Sequence, residues 1–267
     1  MVTVAIDNLS VELGRRRVLG GISAAVNGGE LVGIIGPNGA GKSTLVRAML
    51  GLIGTSGGTV SIDGRPVADI AARDVARALA YLPQGQTLHW PLSVQRLVAL
   101  GRLPHLAPMS RLGPDDRDAV AAAMRRADVS HLADRIATEL SGGERARVML
   151  ARALAVGATG LVVDEPLAAL DPGHQIDVMR LLAREAESGA LVVAVLHDLT
   201  MAARFCTRLL LIDQGMLVAD GAPAAVLTAE RLEDVYGITA MIDLAGDSPM
   251  VVPLRRSKDV ASGVAPD

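Results

Sequence analysis

The segment Gly36–Ser43 constrains the fold of this chain more than any other stretch of its sequence. It reads Gly-Pro-Asn-Gly-Ala-Gly-Lys-Ser, which fits the pattern Gly-x-x-x-x-Gly-Lys-Ser/Thr, and it follows the apolar run Leu31–Ile35. Glycines there let backbone N–H groups turn toward an anion, and a helix that begins near Lys42 directs its positive end at the same point. The pattern therefore predicts a phosphate-binding loop between a buried strand and a helix.

The side chains of this loop match the chemistry of a nucleotide phosphate. We expect Lys42 to place its charge on the β- and γ-phosphates, where it would assist catalysis, and the Ser43 hydroxyl to bind Mg²⁺. The candidate nucleotide-binding residues are Gly36, Pro37, Asn38, Gly39, Ala40, Gly41, Lys42, Ser43 and Thr44.

Short apolar runs alternate with helical stretches, which is typical of an α/β fold with a largely parallel sheet. Strands are predicted over Val2–Ile6, Leu31–Ile35, Thr59–Asp63, Leu161–Val163, Leu191–Leu196 and Leu209–Ile212, and helices from about Lys42 and over Gly142–Val156 and His174–Glu187. The proline-punctuated stretch 85–140 reads instead as a helical insertion, with helical patterns over Val94–Leu100 and Asp115–Ala127. We expect one domain over residues 1–243 and a C-terminal tail over 244–267.

Composition and charge exclude several classes of protein. The net charge of −3 argues against a nucleic-acid partner, and the basic runs Arg15–Arg17 and Arg255–Arg256 are typical of solvated loops. The longest candidate for a membrane span, Ala153–Val163, is shorter than the roughly 20 apolar residues that a spanning helix needs. No secretory signal is visible, and the single cysteine, Cys206, excludes an intramolecular disulfide and a Cys-rich zinc site. We therefore expect a cytosolic protein that can work at a membrane without crossing it.

Two acids follow the apolar strand Leu161–Val163. Because the carboxyl ends of parallel strands meet at one edge of a sheet, Asp164 and Glu165 should lie near the phosphate loop. Asp164 then suits a contact to Mg²⁺, direct or through water, and Glu165 suits a general base that polarises an attacking water.

A second glycine-containing element precedes the predicted helix at Gly142. Ser141 and Glu144 fit a capping box, but a cap does not explain the adjacent Gly142 and Gly143, which lower helix stability and can expose N–H groups to an anion. The whole segment, Leu-Ser-Gly-Gly-Glu, resembles the signature of the ATP-binding subunits of ATP-binding-cassette (ABC) transporters.

The resemblance covers roughly residues 2–243, with each element in the family's order. It implies a P-loop NTPase cassette with a mostly parallel sheet core, an N-terminal antiparallel β subdomain and an inserted helical subdomain. Gln84 matches the Q-loop, which touches Mg²⁺ and senses the membrane partner, and His197 matches the switch histidine near the γ-phosphate. Ala168–Asp171 matches the D-loop, although Asp171-Pro172 also has a local explanation as a helix N-cap. Where the family stacks an aromatic residue on adenine, this sequence has Leu13.

The resemblance also implies a mechanism and partners. Two copies would face head to tail, with each ATP between the Gly36–Thr44 loop of one and Ser141–Gly143 of the other. The pair would hydrolyse ATP with Mg²⁺ at the cytoplasmic face of the inner membrane and drive permease subunits, which receive cargo from a substrate-binding protein. The runs Val98–His105 and Asp171–Gln175 look like those of importers of iron-siderophores, haem and vitamin B12. Other metal or small-molecule importers remain open.

The rival functions on the same phosphate loop lack support in the sequence. A soluble ABC ATPase that acts on ribosomes is expected to carry two cassettes, and this chain has one. A chromosome or DNA-repair ATPase needs a long coiled coil or zinc cysteines between Gln84 and Ser141, where this chain has a short, proline-containing stretch. A kinase or GTPase has no use for the Ser141–Glu144 element or the switch histidine.

Overall fold

The computed structural model describes residues 2–85, 88, 90–246 and 248–257. Its strands are β1 (Thr3–Leu13), β2 (Arg16–Asn27), β3 (Leu31–Ile35), β4 (Gly57–Ile62), β5 (Arg65–Pro66), β6 (Leu79–Leu82), β7 (Gly160–Asp164), β8 (Leu191–Val195), β9 (Arg208–Asp213), β10 (Met216–Gly221), β11 (Ile238–Asp243) and β12 (Met250–Arg256). Its α-helices are α1 (Lys42–Met49), α2 (Ala72–Ala78), α3 (Val94–Ala99), α4 (Pro114–Arg126), α5 (Gly142–Leu154), α6 (Pro172–Glu187), α7 (Leu199–Phe205), α8 (Pro223–Val226) and α9 (Ala229–Tyr236).

The central sheet has the strand order β10-β9-β3-β8-β7-β6, in which only the edge strand β10 runs antiparallel to its neighbour. Its core strands are buried on both faces, so they read as continuous apolar runs. Alternate residues face two different cores: Leu31 and Ile35 pack with the helices, whereas Val32 and Ile34 pack with the N-terminal strands. The α/β expectation is confirmed.

The N-terminal strands form a separate antiparallel sheet in the order β2-β1-β4-β5. Asp63 and Gly64, with φ angles of 50° and 78°, form the tight turn between β4 and β5. Strand β1 is longer than the prediction of Val2–Ile6, because pairing with β2 continues past a bulge as far as Leu13. The solvated-loop interpretation of Arg15–Arg17 is wrong for two of its residues, since Arg16 and Arg17 open β2. It is also wrong for Arg255 and Arg256, which end β12 and pair with β11.

The predicted helical insertion is present, with α3 and α4 packed against α5. A 3₁₀ segment, Leu100–His105, contacts the C-terminal end of α5. Arg102 donates to the carbonyl oxygens of Ala155 and Val156, both at 2.9 Å, and its Nε lies 2.9 Å from Oδ1 of Asp116. These bonds satisfy carbonyls that a helix end leaves unpaired, and they tie the insertion to α5.

A C-terminal hairpin of β11 and β12 follows α9. The Thr200 hydroxyl donates to Val251 O at 2.9 Å, so β12 is fastened to α7. The expected boundary at residue 243 therefore falls between the two strands of this hairpin, while residues 258–267 of the expected tail lie outside the described residues. Among the residues described, no helix has the length and apolar character that crossing a membrane requires.

Candidate functional site

The loop Gly36–Gly41 connects β3 to α1, as the sequence predicts. Its path passes so close to other backbone that side chains do not fit. A Cβ on Gly36 would lie 1.9 Å from Ile212 O, and one on Gly41 would lie 2.6 Å from the Leu19 side chain. Both glycines also have positive φ angles, 148° and 107°, that L residues rarely adopt. The glycines therefore set the shape of the loop as well as its access to an anion.

Lys42 begins α1 and is buried, with 6% of its surface exposed. Its Nζ donates to Gly36 O at 2.7 Å and to Pro37 O at 2.9 Å, so the ammonium group spans the loop. Burial lowers the pKa of Lys42, and the negative charges of Glu165 and Asp164 act in the opposite direction. A phosphate group in the loop would add negative charge beside this cation.

Ser43 and Asp164 meet at the base of the loop. Ser43 Oγ donates to Oδ1 of Asp164 at 3.1 Å, and the Asp164 side chain at the end of β7 is buried. Burial raises the pKa of Asp164, and the hydrogen bond from Ser43 opposes this shift. A hydroxyl and a buried carboxylate are oxygen donors suited to Mg²⁺. Among the described residues no group of three or more His, Cys, Asp or Glu could hold a metal alone, so phosphate oxygens or waters would complete such a site.

Three of the predicted catalytic side chains converge where β6, β7 and β8 end. Glu165 follows β7, its Oε1 lies 2.6 Å from Nε2 of His197, and its Oε2 accepts a hydrogen bond from Gln84 Nε2 at 2.5 Å. Glu165 has a φ of 50°, a left-handed conformation uncommon outside glycine, and its N–H donates to Val195 O at 3.2 Å. Adjacent parallel strands therefore bring residues that lie far apart in sequence to one carboxylate.

The Ser141–Gly143 element begins α5. Ser141 is its N-cap, with Glu144 N donating to Ser141 Oγ at 3.3 Å and Ser141 N donating to Glu144 Oε2 at 2.9 Å, so the capping box is confirmed. The hydrogen bond from the Ser141 backbone holds the pKa of Glu144 below its usual value. Ser141 and Gly142 are exposed and Gly143 is buried. The cap leaves both exposed residues open to a ligand.

The Ser141–Gly143 element and the catalytic strand ends face one hollow. This cavity of about 340 Å³ is lined by Asp164 and Glu165 and, from the start of α5, by Gly142 and Arg145. The signature element and the two carboxylates therefore border the same space within a single copy of the chain.

Leu13 lies at the exposed end of β1, directly opposite Arg16 on β2. A second hollow, of about 360 Å³, opens beside the phosphate loop and is lined by Arg16, Asn38 and Gln214 but not by Leu13. The backbone of Gly215 fixes this side of the loop, since its N–H donates to Ala40 O at 2.9 Å. The structure thus places Arg16, from the basic run Arg15–Arg17, and Gln214 beside the loop, and Gln214 carries no motif that the sequence would reveal.

Tyr236, at the end of α9, is a further residue near the phosphate loop that sequence reasoning missed. Burial raises the pKa of its hydroxyl, and a backbone hydrogen bond with Gly36 opposes the shift. The C-terminal helix therefore reaches the first glycine of the loop. An isolated tyrosine at the end of a helix gives no signal for such a contact.

Comparison with known proteins agrees with this geometry. The family model described as ABC transporter matches residues 19–168. The chain is 49% identical over 221 residues to the hemin import ATP-binding protein HmuV of Nocardia farcinica, covering 83% of this chain and 76% of that protein. It is 39% identical over 254 residues to the ferric enterobactin transport ATP-binding protein FepC of Escherichia coli, covering 94% of each.

The fold also matches that of solved structures. An inward-facing metal-chelate type ABC transporter gives a TM-score of 0.83 at 24% identity, covering 97% of this chain and 100% of that one. The expected cassette fold, with its parallel core, antiparallel β subdomain and helical insertion, is confirmed. The chain belongs to the ABC transporter family, as one of its ATP-binding subunits that hydrolyse ATP.

Proposed function

We propose that this chain powers the import of haem or an iron-siderophore complex through a membrane permease. The proposal rests on the similarity of this chain to two relatives. Proteins named for hemin import and ferric enterobactin transport match it at 49% and 39% identity over most of its length. Cobalamin-type cargo and other metal chelates are the alternatives. In this proposal the chain works at the cytoplasmic face of the inner membrane, without crossing it, and has no nucleic-acid partner.

The nucleotide phosphates would lie on the Gly36–Thr44 loop, with Lys42 leaving its two carbonyl partners for the β- and γ-phosphates. Ser43 and Asp164 would hold Mg²⁺, and Gln84 would join them from the β6 end. The ion would neutralise charge on the phosphates. The contact between Ser43 and Asp164 places two of these oxygen donors side by side, which supports the assignment.

Glu165 would act as the general base toward the attacking water. Its carboxylate is held from both sides, by Gln84 Nε2 and by His197 Nε2, so its orientation is fixed before nucleotide arrives. The His197 side chain would lie near the γ-phosphate, next to the Glu165 carboxylate. Catalysis of this kind depends mostly on positioning and on stabilisation of charge.

A second copy of the chain would complete the site. Ser141 and Gly142 are exposed at the start of α5, where the positive end of the helix dipole favours an anion. In a head-to-tail dimer these groups would reach the ATP on the partner's phosphate loop. ATP would then act as the contact that closes the dimer, and hydrolysis would release it.

The helical insertion offers a surface for the permease. Trp90, Leu100 and Leu103 expose 75%, 40% and 60% of their surfaces, so three large apolar side chains of the insertion face solvent in the single chain. Leu100 and Leu103 also line a groove between the insertion and the first residues of β6, Leu79, Ala80 and Tyr81. A cytoplasmic helix of the permease would fit there, and a substrate-binding protein would deliver cargo from the other side of the membrane.

Transport in vesicles tests the proposal. The chain, purified with its permease and reconstituted in vesicles, should drive ATP-dependent accumulation of haem or a ferric siderophore, and the same complex with Lys42→Ala should not. If ATP hydrolysis moves neither haem nor a ferric siderophore, but another metal chelate or cobalamin accumulates, that compound is the cargo instead. Hydrolysis unaffected by the permease would contradict the transport function itself.

A further inference from the structure

The turn that precedes α6 lies against the Ser141–Gly143 element within the same copy of the chain. The ring of His174, in the first turn of α6, occupies the space beside Gly143, since a Cβ on Gly143 would lie 2.0 Å from Cδ2 and 2.3 Å from Nε2 of that ring. Ala169 O lies in ordinary van der Waals contact with the neighbouring Gly142, at 3.8 Å from the position that a Cβ there would occupy. Two residues of the D-loop region therefore border two glycines of the signature element.

The His174 ring is itself fixed by Asp171. Its Nδ1 lies 2.6 Å from Oδ2 of Asp171, while Oδ1 of the same carboxylate accepts the His174 backbone N–H at 3.0 Å. That backbone hydrogen bond holds the pKa of Asp171 below its usual value, so the carboxylate is ionised and accepts a hydrogen bond from Nδ1. The Cδ2–Nε2 edge of the ring is left to face Gly143.

Helix capping does not require this imidazole. The N-cap of α6 uses the Asp171 carboxylate and the backbone of residue 174, which any residue supplies. The ring is not core packing either, because 33% of the His174 side chain is exposed. The ring instead connects two segments, because it binds Asp171 in the turn before α6 and contacts Gly143 at the start of α5.

We propose that His174 is a positioning residue that fixes the Ser141–Gly143 element relative to the Asp171 turn. The proposal rests on the proposed function, in which that element binds the ATP held by a partner copy. The contacts of His174 described above involve neither the Gly36–Thr44 loop nor Glu165. Loss of the ring should therefore spare ATP binding to a single copy and impair the step that needs the signature element.

Kinetics of single variants give the first test. His174→Ala should bind ATP with a dissociation constant within about twofold of wild type, measured with Glu165→Gln present in both proteins to prevent hydrolysis. Its kcat should fall by about tenfold or more, equivalent to about 1.4 kcal/mol. The matched control is His131→Ala, which removes an exposed histidine on the helical insertion and should leave both values unchanged.

A double-mutant cycle with Gly143 gives the sharper test. Gly143→Ala alone places a methyl group against the His174 ring and should lower kcat strongly, whereas the same substitution in His174→Ala should cost much less. Such non-additivity is expected only for residues in contact. Additive effects, or a raised KM with unchanged kcat in His174→Ala, would overturn the proposal.

A conservative variant covers the case in which His174→Ala does not fold. His174→Asn keeps a donor near the position of Nδ1 and restores the bond to Asp171 without the ring, so it should fold and still show the loss of kcat and the weakened coupling to Gly143→Ala. Wild-type kcat in His174→Asn would overturn the proposal. Absence of ATP hydrolysis in the wild-type protein would instead overturn the proposed function.

Discussion

Nε2 of His197 lies 2.6 Å from Oε1 of Glu165, so the strand ends of β8 and β7 share one carboxylate. The other oxygen of that carboxylate accepts from Gln84 Nε2 at 2.5 Å. Both oxygens are therefore engaged, and the side chain cannot rotate freely. A carboxylate held in this way is suited to orient a water molecule beside the phosphate loop.

Substitution of Glu165 tests its role as a base. Glu165→Gln keeps the size of the side chain but removes the carboxylate that accepts a proton, so kcat for ATP hydrolysis should fall by about 10²-fold or more. ATP binding should persist, and an ATP-bound dimer should accumulate, as measured by light scattering after gel filtration. Glu187→Gln, an exposed change at the end of α6, is the control. Near-normal hydrolysis by Glu165→Gln would disprove the assignment.

Substitution of Asp164 by Asn should raise the stability of the folded protein and lower its ATPase activity. Burial raises the pKa of Asp164 above 3.8, so the ionised form destabilises the folded protein, and that penalty grows as the pH rises from 3.8 through the folded-state pKa. Asn resembles the protonated acid. Asp164→Asn should therefore be more stable than wild type at neutral pH, by more than the about 0.5 kcal/mol typical of surface changes.

The measurement is urea unfolding without nucleotide or metal at several pH values between about 4.5 and 7.5. The advantage of Asp164→Asn should shrink as the pH falls toward 3.8, and its Mg²⁺-dependent ATP hydrolysis should be strongly reduced. Asp69→Asn, at an exposed site, should show neither effect. Equal stability of Asp164→Asn and wild type at neutral pH would show that burial does not penalise this carboxylate.

The absence of an aromatic residue at Leu13 should weaken selection for adenine. Leu13 is half exposed and faces Arg16, so the base would meet an aliphatic chain or a guanidinium instead of a stacked ring. Dissociation constants for ATP and GTP should then differ by less than about tenfold, or about 1.4 kcal/mol. Leu13→Tyr should strengthen ATP binding, since stacking on an aromatic contributes about 1–3 kcal/mol per base. Strong ATP preference in wild type, unchanged by Leu13→Tyr, would place base recognition elsewhere.

Cross-linking can locate the permease. Cysteines at Leu103, on the exposed face of the Leu100–His105 segment, and at Leu88 should form cross-links to the membrane subunit in the assembled transporter. A cysteine at Leu254, which is 65% exposed on the C-terminal hairpin, is the matched control on a different surface. If Leu254→Cys reacts with the permease and the other two do not, the docking surface lies on the hairpin.

Much of the site follows from local sequence patterns. The run Leu31–Ile35 is buried on both faces, and the glycines after it can adopt the tight path of the loop, so strand, loop and helix were predictable together. The meeting of Glu165 and His197 follows from one rule, that the ends of neighbouring parallel strands share an edge. Gln84 was expected near Mg²⁺ only from the resemblance to the ABC family, because strand β6 before it was not predicted. Their roles in ATP hydrolysis stay predictions until the variants are measured.

Contacts that depend on long-range packing could not be predicted. The ring of His174 meets Gly143 only because α6 and α5 begin next to each other, and Tyr236 reaches Gly36 only because α9 returns to the central sheet. Neither pair has a periodic pattern or a motif. The length of β1 was underestimated for a similar reason, since pairing with β2 carries it past a bulge that breaks the alternation of apolar residues.

A mixing experiment tests the central claim, that ATP is hydrolysed between two copies of this chain. Lys42→Ala disables the phosphate loop, and Gly142→Asp places a negative charge on the exposed signature element, where a Cβ meets only Ala169 O at 3.8 Å. Each variant alone should be inactive. In a mixed dimer one site carries both lesions and the other carries none, so hydrolysis should appear when the two inactive proteins are combined. A mixture as inactive as its parents would contradict a site shared between two copies.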